Sequence, residues 1–371
     1  MATVFNEEQS QLRSMVRAFC ADYFSEGDVR RDIESNSGFR VTVWERMATE
    51  LGLQGIAIPE AYGGAGAGQA ELGIVAEELG RSLAPIPFLS TVAMSANLIL
   101  CTGDPQAQER LLTGIADGSR IVTVAHLEPA ARARTTDIAS RAIQVDGAWR
   151  VTGTKTHVLA ADQSSTFLVT ALTSEGLTLF EVDATTAAVE TTPLQTLDLT
   201  RRQARVDLHS AEAILIGRPG GAAEYLDEME TRLSSALCAE NVGGSLRLLE
   251  ETAGYSRTRE QFGRPIGSFQ AIKQKAADML LNVELARSAA YRVARSIDDN
   301  ATDASLEAAM AHALTSDAYV ATAYDAIQIH GGIGFTWEHM VHLYFRRAKS
   351  NMALFGTPDA HRERAAQLMG I

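Results

Sequence analysis

Apolar residues at three- and four-residue spacing open the chain. Leu12, Met15, Val16, Phe19, Cys20 and Tyr23 make one face just after Asn6-Glu7-Glu8, a polar start suited to a helix N-terminus. Val43 to Leu51 repeats the period and stops at Gly52. Gly52 to Gly66 is glycine-rich and predicts a loop, but no Lys-Ser/Thr follows the glycines as a phosphate loop requires. Helical periods recur at Gln69 to Leu83, at Thr91 to Leu100 beyond Pro85 and Pro87, and from Pro105 to Gly114 or Gly118. The period then shortens to two. Ile121 to Ala125, Ala139 to Val145, Trp149 to Thr152, Phe167 to Ala171, Leu177 to Val182 and Ala204 to Leu208 are short alternating runs, broken by Asp146-Gly147, Gly153 and Glu175-Gly176. After Pro219-Gly220 helical spacing returns through Glu224 to Arg257, Gln270 to Ser296, Asp303 to Ile329 and Val341 to Leu354. The expected fold is α+β in three domains: helices over 1–120, a small β-barrel or sandwich over 121–218, and a helical bundle over 219–371.

Charge narrows the function classes. Among 371 residues, 33 Lys and Arg stand against 46 Asp and Glu, a net charge of −13. That balance argues against a general nucleic-acid or membrane-surface binder while leaving room for a local basic pocket. No run is long and apolar enough to span a bilayer, and the first residues read as a polar helix rather than a signal peptide, so a soluble cytoplasmic protein is expected. Cys20, Cys101 and Cys238 lie far apart without metal-ligand spacing, which predicts reduced, buried thiols and no metal site.

Tyr255 to Gln270, reading YSRTREQFGRPIGSFQ, stands out. A basic helix end (Arg257, Arg259) breaks at Phe262-Gly263 and restarts near Ser268 beyond Pro265. Two guanidinium groups beside a Gly-Pro turn suit an anion, typically a phosphate, or simply cap a helix end.

Motif order now adds to this reading. Arg259-Glu-Gln-Phe262-Gly263, Ile266-Gly267, Phe269-Gln270 and Ala277-Asp278-Met279 resemble the acyl-CoA dehydrogenase family. Gln328-Ile-His330-Gly331-Gly332-Ile-Gly334-Phe335-Thr336 resembles its second signature, and Ile58-Pro-Glu60-Ala-Tyr-Gly63-Gly64, Gly153-Thr-Lys155 and Arg346-Arg-Ala-Lys349 also fit. The resemblance spans essentially the whole chain. It implies FAD lying between subunits, with the ring held by one chain's β domain and the adenosine and pyrophosphate covered by a neighbour. Arg259, Phe262, Gln270, Gln328, Gly331 and Gly332 would supply that cover here.

The sequence departs from the family where the chemistry lies. The family reaction takes the α-proton of an acyl-CoA onto a carboxylate while a hydride leaves the β-carbon for the flavin. The usual Glu before Gly-Thr is Phe355, and the second family position, counted back from Arg259, falls at Leu233. Neither accepts a proton. The family's Thr-Glu-Pro-Gly-Ala-Gly-Ser-Asp loop reads His126-Leu127-Glu128-Pro129-Ala130-Ala131-Arg132-Ala133, and the flavin-facing Trp and Thr become His157 and Leu159. His157 lies against a ring or is a structural histidine. Glu240, two turns (roughly 10 Å) beyond Leu233 on the same helix, is a substitute base with a raised pKa or a carboxylate paired with a neighbouring helix.

Three functions follow. In the first, the chain is the base-less subunit of a hetero-oligomer, α2β2, whose paralogous partner supplies the base, the acyl-CoA site and most flavin contacts. The pattern of losses resembles actinobacterial enzymes acting on steroid side-chain CoA thioesters, with an electron-transfer flavoprotein as acceptor. In the second, it is a self-sufficient homo-oligomeric dehydrogenase using Glu240. In the third, it is a scaffolding or other flavin-fold relative.

Overall fold

The computed structural model describes residues 5–129 and 138–371. Helix α1 (Glu7–Tyr23) starts where the polar pattern predicts. The Asn6 side chain accepts the Gln9 N–H at 2.8 Å and the Gln9 side chain accepts the Asn6 N–H at 3.2 Å, a reciprocal cap. The short α2 (Glu26–Glu34), capped by Ser25, escaped the periodicity because its nine residues bury only Val29 and Asp32. Helices α3 (Val41–Leu51) and α4 (Gln69–Arg81) flank a segment that is more than a loop, with 3-10 turns at Leu53–Gly55 and Glu60–Tyr62. Wide π-type turns at Leu89–Ala96 run into α5 (Asn97–Thr102), and Asp104 caps α6 (Pro105–Ala116).

The middle of the chain is a closed barrel. Strands β1 (Val122–Ala125), β2 (Arg141–Val145), β3 (Ala148–Leu159), β4 (Thr166–Thr173), β5 (Gly176–Asp183), β6 (Val189–Pro193) and β7 (Gln203–Ile216) share one sheet. β5 pairs with both β4 and β7, so the path β4-β2-β3-β7-β5 returns to its start and leaves few free edges. Inside lie Phe167, Phe180, Val206 and Leu208, with the Trp149 ring 5.3 Å from that of Phe180. Gly153 reads as a strand break in the sequence, yet β3 passes through it. A bulge between Val151 and Gly153 takes up the φ of +157°, and a Cβ there would overlap Ser140. A second irregularity between Lys155 and Val158 holds His157 at φ +53°.

The rest is helical: α7 (Ala222–Thr258), a hairpin of β8 (Glu260–Gln261) and β9 (Arg264–Pro265), α8 (Gln270–Asp298), α9 (Ala304–His330), a 3-10 turn at Gly331–Phe335, α10 (Val341–Ala353) and α11 (Pro358–Leu368). Helices α7, α8, α9 and α10 pack together, and α7 also lies on α4. With 37 residues, α7 is about 55 Å long. Helix α11 has no apolar period to betray it; Pro358 at its first turn and the Thr357 cap start it.

Candidate functional site

A cleft of about 550 Å³ opens between the barrel, the N-terminal end of α7 and the C-terminal end of α10. The barrel contributes Val124, His126, Leu127, His157 and Leu159; α7 contributes Leu226, Met229 and Glu230; Lys349 and Ala353 come from α10, followed by Phe355. The two positions at which the resemblance expects a base differ in kind. Phe355 stands on the cleft wall at φ +59°, its carbonyl 3.0 Å from His361 Nε2. Leu233 is only 1% exposed and belongs to the apolar core.

Two histidines of the barrel wall are engaged through Nδ1. His157 Nδ1 meets Gln203 Oε1 at 2.8 Å, and His126 Nδ1 meets Thr170 Oγ1 at 2.8 Å. Burial, then the nearby Lys155 ammonium, push the His126 imidazole down to about 4, so it is neutral at physiological pH. Below it Glu128 accepts from Lys155 Nζ (2.7 Å), Ser140 Oγ (2.6 Å), Ser140 N–H (3.1 Å) and Ala139 N–H (2.6 Å). Burial alone would raise this carboxyl, but the four donors hold it at about 2. The departures noted at Ala130, Ala131, Arg132 and Ala133 lie outside the described residues.

Glu240 requires a correction. It is buried as expected, but it is absent from the cleft wall, and its carboxyl is held down rather than raised. Arg201 Nη2 donates to both its oxygens at 2.6 Å, Arg347 Nη1 at 3.0 Å and Asn351 Nδ2 at 3.0 Å. Desolvation opposes ionisation, and the two guanidinium groups overcome it, so the carboxyl titrates at about 2. Asp198 closes the cluster, accepting from Arg347 Nε at 2.7 Å. Two arginines and two carboxylates thus join the loop after β6 to α7 and α10. The alternative reading of Glu240, a carboxylate paired with a neighbouring element, describes this geometry.

Two charged wall residues, besides Asp198, gained a role only from the structure. Glu230 lies one turn before Leu233 on α7 and reaches the cleft, with Arg364 Nη1 3.9 Å from its carboxylate. Its i−3 relation to Leu233 was the available signal. Lys349 was noted only as part of a motif; it lies on the wall and makes no ion pair among the described residues.

The motif residues near the far end of α7 form a separate patch. Arg259 caps α7, its backbone N–H on the Tyr255 carbonyl at 2.8 Å, and its guanidinium has no ion pair among the described residues. Phe262 sits at the hairpin tip at φ +54°, 92% exposed, edge-on to Phe269 at 6.2 Å. Gln270 is the first residue of α8 and is exposed, as is Gln328 near the end of α9. Gly331 (φ +65°) and Gly332 follow, with open space where side chains would project. Stacking of Tyr255 on His330, centroids 4.4 Å apart, brings the α7 and α9 ends together. From Met229 to Arg259 along α7 is 30 residues at 1.5 Å each, about 45 Å. Cleft and patch therefore serve different places.

Models of the acyl-CoA dehydrogenase N-terminal and C-terminal domains match residues 6–119 and 229–370. Acyl-CoA dehydrogenase IpdE2 of Mycolicibacterium smegmatis is 33% identical over 355 residues, 95% of this chain and 96% of its own length. Among solved structures, a variant of the Tcur3481-Tcur3483 steroid ACAD has a TM-score of 0.86 at 31% identity over 98% of both chains. The ChsE4-ChsE5 complex from Mycobacterium tuberculosis has a TM-score of 0.89 at 28% identity, covering 99% of this chain and 98% of its own.

Proposed function

The chain belongs to the acyl-CoA dehydrogenases, a family of FAD-dependent oxidoreductases, and on that premise we propose that it works as the base-less subunit of a hetero-oligomer, α2β2 in form. The observation that carries this reading is Phe355 on the cleft wall where the family's carboxylate belongs, in the same chain as an exposed Arg259 patch whose guanidinium has no ion pair among the described residues.

The residues fit FAD unequally at the two places. At the patch, a guanidinium with no ion pair among the described residues, an exposed aromatic and two open glycines suit a pyrophosphate and adenosine presented by another chain. At the cleft, the Leu127 and Leu159 side chains offer no hydrogen bond to a flavin ring. FAD, when bound, supplies the acceptor for the hydride leaving the β-carbon of the thioester. This chain's part is positional: Arg259 neutralises phosphate charge in a fork, Gln270 and Gln328 offer amide hydrogen bonds, and Phe262 shields the site from water. The partner chain then holds the carboxylate that takes the α-proton.

Exposed apolar stripes support assembly. Leu281 and Leu285 are one turn apart on α8, and Met310 and Leu314 share that spacing on α9. A steroid side-chain CoA thioester is the proposed substrate class, since similar proteins include a steroid ACAD, and an electron-transfer flavoprotein is the proposed acceptor. A self-sufficient enzyme with Glu240 as base is disfavoured, because that carboxylate already serves two arginines away from the cleft.

Expressing the chain alone and together with a paralogue carrying a Glu at a family base position tests the proposal. Flavin content and acyl-CoA oxidation should emerge only in the pair. A homo-oligomer with stoichiometric FAD and turnover would sink it.

A further inference from the structure

The cleft measures about 550 Å³, the size of a pocket for a small organic molecule. Val124, Leu127, Leu159, Met229 and Phe355 make its wall largely apolar. Among the described residues its wall carries a single Lys or Arg, the half-buried Lys349, and that ammonium has no ion pair. Of the wall's carboxylates, Asp198 accepts from Arg347 Nε at 2.7 Å, and Glu230, which reaches the cleft, has Arg364 Nη1 3.9 Å away. A largely apolar wall carrying an ammonium that has no ion pair among the described residues suits a molecule with a hydrocarbon body and one negative charge. In such surroundings a carboxylate-to-ammonium hydrogen bond is stronger than in water.

We propose that this cleft binds an apolar carboxylate, with the acid group on Lys349 and the hydrocarbon body against Phe355, Leu159 and Met229. The proposal rests on the preceding reading in one respect, that no flavin ring fills the cleft. It assigns this chain a ligand of its own beyond covering the partner's cofactor. A neutral molecule of the same shape would meet the same apolar wall but leave the ammonium unpaired.

Isothermal titration of the full-length chain, co-purified with its partner, compares decanoate with decan-1-ol while flavin absorbance is read on the same sample. Decanoate should bind about tenfold tighter or more, the range of a charge-assisted hydrogen bond. Lys349→Met should remove that advantage and leave decan-1-ol unchanged, whereas Lys349→Arg should retain it. Added salt should weaken decanoate alone, a reading that needs no variant. Equal affinity for the two probes, or decanoate affinity indifferent to both Lys349→Met and salt, overturns the proposal and leaves the hetero-oligomer reading standing. Stoichiometric flavin on the chain purified alone would instead strike at the hetero-oligomer reading, and the decanoate comparison would still report on Lys349.

Discussion

Replacing Glu240 by Gln keeps the side chain's shape and removes the charge that two buried arginines share. The carboxyl titrates at about 2 in the fold against an ordinary value of 4.5. Because its folded value lies below its unfolded one, the stabilisation is present above about pH 4.5 and is lost as pH falls toward 2. Over that interval it amounts to about 3 kcal/mol at neutral pH, within the range for removing one partner of a buried ion pair. An unfolding entropy near 2.1 cal/mol/K per residue gives about 0.8 kcal/mol/K for 371 residues, so Glu240→Gln should lower Tm by about 4 °C at pH 7. Calorimetric scans of both proteins from pH 7 to pH 3 should show the gap narrowing with acidity. On the hetero-oligomer reading, acyl-CoA oxidation by the assembled pair should persist at temperatures well below Tm. Turnover abolished with an unchanged Tm would make Glu240 a base after all, and a gap that does not vary with pH would refute the charge argument.

Arg259→Ala should weaken FAD retention by the assembled hetero-oligomer about tenfold or more, through the lost charge-assisted bonds to phosphate; the flavin-to-protein absorbance ratio after gel filtration reads this, and an unaltered ratio would contradict the covering role. Phe355→Glu should leave the chain alone without turnover, because a restored carboxylate would line the same cleft as the Leu127 and Leu159 side chains, which give a flavin ring no hydrogen bond; oxidation of acyl-CoA by that variant alone would refute it. Gly243→Ala and Gly254→Ala should move Tm in opposite directions although both lie on α7. A Cβ at 243 would overlap the Glu77 carbonyl of α4 and cost on the order of 1–3 kcal/mol. One at 254 meets nothing within 4 Å and should stabilise the helix by about 0.5–1 kcal/mol.

What the sequence discloses here depends on how local the determining contacts are. The long helices were legible because their apolar period repeats over many turns, and Arg259–Phe262 and Gln328–Gly332 were legible because each motif is contiguous. Strand β6 (Val189–Pro193) was not, since a half-exposed edge strand ending in Pro carries little alternation. Strand β3 was cut short at Gly153 for want of the bulge that only pairing with β7 defines. Glu240 shows the limit most clearly. Its burial could be inferred from Ala, Cys and Val beside it, and burial alone raises a carboxyl. The guanidinium groups that reverse the sign come from 39 and 107 residues away, and nothing in the local pattern announces them.

Helix α7 gives a physical reason why losses can gather at one place and not another. Its first turns, Leu226 to Leu233, face the cleft or the core beside it; its last residue leads to Arg259; and its middle, Glu240 to Gly244, binds the barrel loop through Arg201 and lies close on α4. These three stretches are separated by whole turns of a rigid rod, so a side-chain change in one leaves the geometry of the others intact. A base at 233 or flavin donors around the cleft can therefore disappear without disturbing the patch some 45 Å away. The middle stretch has no such freedom: Glu240 anchors both Arg201 and Arg347, and the loss of either charge would loosen the barrel against the bundle and with it both sites. On the hetero-oligomer reading, drift is tolerated at the first turns, excluded at the last by the partner's cofactor, and excluded in the middle by the fold itself.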